Sequence, residues 1–162
     1  MVDSHELLEV MEKNSRISIK DLAVMLDENE EGIADQLAQL EREKIIFGYH
    51  TMINWDKARV DRVTALIEVR VTPQRGEGFD TIAQNIYRFE EVSAVYLMSG
   101  AFDLTVIVEG RTMKEVALFV AQRLAPIDQV LSTSTHFVLK RYKDHGVILE
   151  DRESDERMIV SP

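Results

Sequence analysis

Apolar residues recur at helical spacing three times in the first 42 positions. Leu7, Leu8 and Met11 make the first stripe, and Asn14-Ser15 ends it with a turn. Ser18 is placed to cap a second helix that turns Leu22, Ala23 and Leu26 inward. A short polar turn, Asp27 to Asn29, follows. Ile33, Leu37 and Leu40 then recur at i, i+4 and i+7, with Ala34 and Ala38 beside them, which predicts a third buried helix face. The stretch IIFGYHTMIN (45–54) reads as extended, with Gly48 as a turn or bulge. Three short helices, the last two joined tightly, and then a strand pair make a winged helix-turn-helix pattern. A small helical subdomain without a DNA role has the same periodicity.

After a polar linker, WDKARVDR (55–62), the rhythm changes. VTALIEVRV (63–71) alternates, with Ala65, Ile67, Val69 and Val71 on one face of a strand. PQRGEGF (73–79) is a loop, and Phe79, Ile82, Ala83, Ile86 and Tyr87 trace a helix. VSAVYLM (92–98) is a strand, SGAFD (99–103) a tight turn, and Leu104 to Val108 the returning strand. Met113, Val116, Ala117, Val120 and Leu124 trace a second helix that Pro126 closes, and QVLSTSTHFVLKRY (129–142) is a long last strand. The order βαββαβ predicts a ferredoxin-like antiparallel sheet with both helices on one face. The other face is left bare and still carries apolar side chains, so a homodimer through this domain is expected. The predicted fold class is therefore α+β. Residues 1–54 form a winged helix-turn-helix, 55–62 a linker, 63–143 a ferredoxin-like sensing and oligomerisation domain, and 144–162 an acidic arm or tail. Two apolar triplets in that tail, Val147-Ile148-Leu149 and Met158-Ile159-Val160, favour an ordered arm on a neighbouring subunit.

Composition narrows the function. At 45% hydrophobic and 30% charged the chain is that of a globular protein. No apolar run approaches the ~20 residues of a membrane span, and the charged N-terminus MVDSHELLEVMEK does not read as a signal peptide. The absence of cysteine excludes disulfides and thiolate chemistry and fits a reducing cytoplasm. His5, His50, His136 and His145 lack metal-ligand spacing, and no nucleophile elbow, phosphate-binding glycine loop or paired-carboxylate motif is present. An enzyme is not expected, nor a cofactor or a metal.

The net charge of −10 is uneven: 13 acidic against 7 basic residues over 1–60, 10 against 10 over 61–143, and 6 against 2 over 144–162. By itself this argues against a nucleic-acid partner, whose phosphates are bound by Lys and Arg.

Four stretches point the other way. They are Asn14-Ser15-Arg16-Ile17-Ser18 followed by Asp21-Leu22-Ala23; Leu40-Glu41-Arg42-Glu43 with Ile45-Ile46 and Gly48-Tyr49; Ser99-Gly100-Ala101-Phe102-Asp103; and Val130-Leu131-Ser132-Thr133-Ser134-Thr135. In this order and spacing they resemble the Lrp/AsnC (feast/famine) transcription regulators of bacteria and archaea. The resemblance covers the chain to about residue 143. It implies a winged helix-turn-helix, a linker strand and an effector-sensing domain. It also implies dimers that assemble further into octamers, with an amino acid or related small molecule bound between them.

Two sets of candidate residues follow. An amino acid needs N–H donors for its carboxylate and an acceptor for its ammonium. By resemblance and chemistry together, the Gly-containing turn Ser99, Gly100, Ala101, Phe102 offers backbone N–H groups, Asp103 meets the ammonium, and the hydroxyls of Ser132, Thr133 and Thr135 line the same region across an interface. Gly100 and Asp103 equally suit a hairpin turn with no ligand. Ala101 stands where the family often has a polar residue, which leaves the effector open.

For double-stranded DNA, the outward positions of the third helix are Asn29, Glu31, Gly32, Asp35, Gln36 and Gln39. Asn and Gln read adenine edges and Asp35 can accept from a cytosine amine. The stretch 27–41 has six acidic residues and no Lys or Arg, where the family usually has basic ones. Arg16, Lys20, Arg42 and Lys44 are then left to hold phosphates. A regulator that binds DNA weakly per subunit and relies on assembly is one outcome. A family member whose helix-turn-helix contacts a protein instead, or one that only senses, is the alternative.

Overall fold

The computed structural model describes residues 4–72 and 78–149. The chain divides into two compact units between Ile53 and Asn54.

The first unit holds α1 (Ser4–Lys13), α2 (Ile19–Met25) and α3 (Glu30–Arg42). Their apolar stripes meet in one core of Leu7, Met11, Leu22, Ala23, Ile33 and Leu40, with Ile17, Leu26, Leu37 and Ile46 packed against it. Two side chains start the helices. Ser18 Oγ accepts from the Asp21 N–H at 3.1 Å, and Asn29 Oδ1 accepts from the Gly32 N–H at 2.6 Å, satisfying donors that the first turn leaves unpaired. Between α2 and α3 the backbone reverses at Asp27, whose φ is +51°, a conformation glycine adopts more easily.

The expected strand pair over 45–54 is not formed. The N–H groups of Ile45 and Ile46 are taken by the carbonyl of Leu40 at the end of α3. The rest of the run finds no second strand in the described chain, so Phe47 is left 88% exposed. A ladder requires a partner edge, and alternation alone does not provide one.

The second unit is β1 (Val63–Val71), α4 (Gly78–Tyr87), β2 (Val92–Leu97), β3 (Leu104–Gly110), α5 (Met113–Phe119) and β4 (Val130–Phe137). All neighbouring strands are antiparallel in the order β2-β3-β1-β4. This is the ferredoxin-like arrangement expected from the element order. Ala65, Ile67 and Val69 of β1 and Leu104, Val106 and Val108 of β3 share a core with Ile82 and Ile86 of α4 and Val116 and Phe119 of α5. α5 widens into a π-helical turn, Val120–Leu124, where Arg123 stacks over Phe89 and pairs with Glu91 at 2.5 Å.

The register shows what the bare face carries. Residues opposite one another point to the same side of a sheet, so Thr64, Leu66, Glu68 and Arg70 share it with Thr105, Ile107, Glu109, Ala94 and Tyr96, and with Ser132, Ser134 and His136. The face is mixed rather than apolar. Its greasy members are Leu66, Ile107, Ala94 and Tyr96; the rest form a polar lattice that includes a His136–Glu68 contact at 3.6 Å.

The last strand is shorter than its sequence run suggests. β4 stops at Phe137, and Val138 makes one more bond, to the Thr64 carbonyl, because β1 itself begins at Val63. The chain then makes a small hairpin, β5 (Lys143–Asp144) and β6 (Val147–Ile148). Its turn residues, His145 and Gly146, both have positive φ (43° and 81°), as a two-residue type I′ turn requires. The second apolar triplet of the tail, Met158 to Val160, lies outside the described residues. No described helix is long and apolar enough to cross a membrane.

Candidate DNA-facing and effector-binding surfaces

In the first unit the basic candidates Arg16, Lys20, Arg42 and Lys44 are all exposed. Arg16 and Lys20 bracket the entry to α2. Arg42 closes α3, and Lys44 follows it in the left-handed region at φ 58°. Glu31, Asp35 and Gln39 of α3 are exposed too, and Gln36 is half-buried.

The polar candidates are not idle. Asn29 caps α3 through its side-chain oxygen. The Gln36 amide donates to Ser4 Oγ at 3.0 Å, and the Gln39 amide donates to Glu43 Oε1 at 2.8 Å. To read a base edge each must exchange an internal bond for a new one. The surface of α3 that remains is acidic, with Glu30 and Glu31 at the positive end of the helix dipole, where carboxylates are stabilised.

In the second unit the SGAFD segment is a loop between β2 and β3, exposed at Ser99, Gly100 and Ala101 and half-buried at Phe102 and Asp103. It is closed by the Met98 N–H donating to the Asp103 carbonyl at 2.8 Å. The bond closes the turn over 99–102, and Gly100 adopts φ 150° within it. Asp103 ties the loop to the neighbouring strand twice. Its N–H donates to the Val69 carbonyl at 3.1 Å, and its Oδ2 accepts from the Val71 N–H at 2.9 Å. Val71 is where the β1–β4 register shifts, so the carboxylate satisfies a backbone donor at the irregularity.

The strand hydroxyls divide. Thr133 opposes Val69 and Thr135 opposes Ile67, both on the helix-packed face, whereas Ser132 opposes Arg70 on the bare face. Ser132 therefore does not join Thr133 and Thr135 in one lining, because successive strand residues point to opposite sides. Leu104, which follows Asp103, opposes Val69 from the other side. The loop end and Thr133 thus flank one β1 residue, two strand spacings or roughly 10 Å apart.

One cluster on the bare face was not foreseen from the sequence. Arg62 stacks over the Trp55 ring at 4.8 Å and pairs with Glu109, while Arg141 donates to Thr64 Oγ1 at 2.5 Å. The pairing of Thr64 with Glu109 across β1 and β3, and the bond of Val138 after β4 to Thr64, bring these residues together.

A three-helix helix-turn-helix unit followed by a ferredoxin-like unit is the architecture of a two-module transcription regulator. The family model of the Lrp/AsnC ligand binding domain matches residues 64–148. The HTH-type transcriptional regulator YugG of Bacillus subtilis is 46% identical over 158 residues, 97% of this chain and 95% of that protein. Among solved structures, AsnC of E. coli superposes with a TM-score of 0.67 at 20% identity, covering 87% of this chain and 94% of that one. The regulator NMB0573 of Neisseria meningitidis, solved as its L-Met complex, gives 0.72 at 20% identity, covering 89% and 94%. The chain belongs to the Lrp/AsnC family of transcription regulators.

Proposed function

We propose that this regulator responds to an amino acid or a closely related zwitterion held beside the SGAFD loop. The observation that carries the reading is the placement of Asp103. Its half-buried carboxylate stands at the end of a glycine-containing loop, on the Val71 N–H, while its own N–H bonds Val69, the β1 residue that Thr133 opposes from β4. Only one of its bonds is spent on Val71, and a carboxylate accepts several. It can therefore also meet an ammonium, while loop N–H groups meet the carboxylate. Thr133 and Thr135 supply hydroxyls on the helix-packed side, and Ser132 does not take part. The L-Met bound to the Neisseria relative supports this ligand class. Thermal shift against the twenty amino acids tests it: a ligand present at 100-fold over its Kd adds roughly 2.7 kcal/mol. If none of the twenty stabilises the protein, the reading fails.

For DNA, the proposed contacts are phosphate contacts by Arg16, Lys20, Arg42 and Lys44, with assembly into dimers or larger rings compensating for an acidic α3. The internal bonds of Asn29, Gln36 and Gln39 favour a second reading, in which the first unit has turned to protein contacts. Titration with genomic fragments separates the two. Salt-sensitive, fragment-selective binding supports the first. No binding at ~50 mM salt and micromolar protein supports the second.

A further inference from the structure

The bare face of the sheet holds a chain of contacts with one carboxylate at its centre. Glu109 Oε2 pairs with Arg62, and Glu109 Oε1 lies 3.8 Å from Arg141. Arg62 in turn stacks over Trp55. Trp55 sits in a hydrogen-bonded turn that opens with Asn54: the Lys57 N–H donates to Asn54 Oδ1 at 3.0 Å, and the Val60 N–H donates to the Trp55 carbonyl at 3.2 Å. On the other side Arg141 reaches Thr64 Oγ1 and, at 3.7 Å, Asp144 of β5. The segment that leads from the helix-turn-helix unit into the sheet and the hairpin that follows the sheet are therefore held by the same side chain.

We infer that Glu109 is a latch that couples the 54–62 segment to the β5–β6 hairpin. Each oxygen of the carboxylate faces a different arginine, and the two guanidiniums repel each other. The carboxylate between them offsets that repulsion, beside the stack of Arg62 on Trp55 and the holds of Arg141 on Thr64 and Asp144. Drawing Arg141 away with the hairpin gives Glu109 wholly to Arg62, and removing the carboxylate loosens both. The four charged groups are between a quarter and two-fifths exposed, so each pair contributes weakly. A two-residue ladder has little stability of its own. Both ends are accordingly easy to shift, which is what a transmitting element requires. A molecule that seizes the hairpin alters the hold on Trp55, and by reciprocity a change at the 54–62 segment alters the hairpin. The inference does not depend on an amino acid binding near Asp103.

Trp55 is the one tryptophan in the chain, so the full-length protein carries its own probe. Arg141→Gln leaves Trp55 and Arg62 untouched. The latch predicts a shifted Trp55 emission and changed acrylamide quenching in that variant. Glu109→Gln, which keeps the side-chain shape, should move the emission to the red and raise quenching, whereas Arg141→Gln, which leaves Glu109 wholly to Arg62, should lower it. In the reverse direction, Arg62→Gln leaves Glu109 wholly to Arg141 and should slow hydrogen exchange at Leu149, whose N–H bonds the Tyr142 carbonyl. Mass is read by light scattering in the same samples. Wild-type Trp55 quenching in Arg141→Gln overturns the coupling, as does a Trp55 change seen only where the mass also changes. Unaltered exchange at Leu149 in Arg62→Gln overturns it equally.

Discussion

Asp103 Oδ2 accepts a hydrogen bond from the backbone N–H of Val71 at 2.9 Å, joining the loop before β3 to the point where β1 loses register with β4. The same carboxylate is the proposed partner of an effector ammonium, so the two roles must be separated by the choice of substitution. Asp103→Ala leaves the part-buried Val71 donor without its acceptor and should cost about 1–3 kcal/mol of stability. Asp103→Asn keeps an oxygen for Val71 and removes the charge. It should fold near wild-type stability yet lose the thermal shift given by the effector. An undiminished effector shift in Asp103→Asn places the ammonium elsewhere.

Phosphate contacts reveal themselves through salt. Each of Arg16, Lys20, Arg42 and Lys44 that touches a phosphate should, on change to Ala, lower the slope of log affinity against log salt by roughly 0.9. The acids act in the opposite sense. A carboxylate near a phosphate costs roughly 1 kcal/mol in open water, so Glu31→Gln and Asp35→Asn should each tighten DNA binding about fivefold. Fluorescence anisotropy on one duplex at several salt concentrations measures both effects. If neutralising the acids leaves affinity unchanged, α3 does not lie against the DNA.

Asp27 turns the chain between α2 and α3 with φ at +51°. A side chain there is strained where glycine is not. Asp27→Gly should stabilise the protein by up to about 1 kcal/mol, or roughly 2–4 °C in Tm for a chain of this length, while Asp27→Val should destabilise it. Thermal unfolding followed by circular dichroism decides. A lower Tm in the glycine variant means the Asp27 side chain makes a contact worth more than the strain.

Local signals carried most of the fold. The stripes through Leu7, Ile33 and Leu40 and the cap at Ser18 depend on residues three or four apart, and the βαββαβ order follows from alternation and spacing. Strand parity also separates Ser132 from Thr133 and Thr135 once the strand is recognised. The unpaired 45–54 run was not legible, because alternation does not say whether a partner edge exists. Nor was the engagement of Gln36, whose acceptor Ser4 lies 32 residues earlier, or that of Glu109, which meets Arg62 across 47 residues. Both contacts are products of packing, and neither motif nor period encodes them.

Tyr49 is the side-chain tie between α3 and the unpaired segment beyond the backbone bonds of Ile45 and Ile46. Its hydroxyl donates to Glu41 Oε1 at 2.8 Å. Partial burial, together with that bond and the charge of Glu41, holds its pKa above the ordinary value of 10.0. The folded protein therefore keeps a proton there that the unfolded chain releases. The stabilisation is fully present below about pH 10 and is lost as pH rises through the raised value. Absorbance at 295 nm, taken as the difference between the wild-type protein and Tyr49→Phe, isolates this phenol, and its midpoint should lie above 10. Glu41→Gln should lower the midpoint only in part, because the contribution of burial remains. In Tyr49→Phe the amides of the 47–54 segment should exchange faster at neutral pH, since the side-chain tie to α3 is gone while Ile45 and Ile46 stay bonded to Leu40. A midpoint at or below the ordinary value, with exchange unchanged, means that this segment is not held by Glu41 in solution.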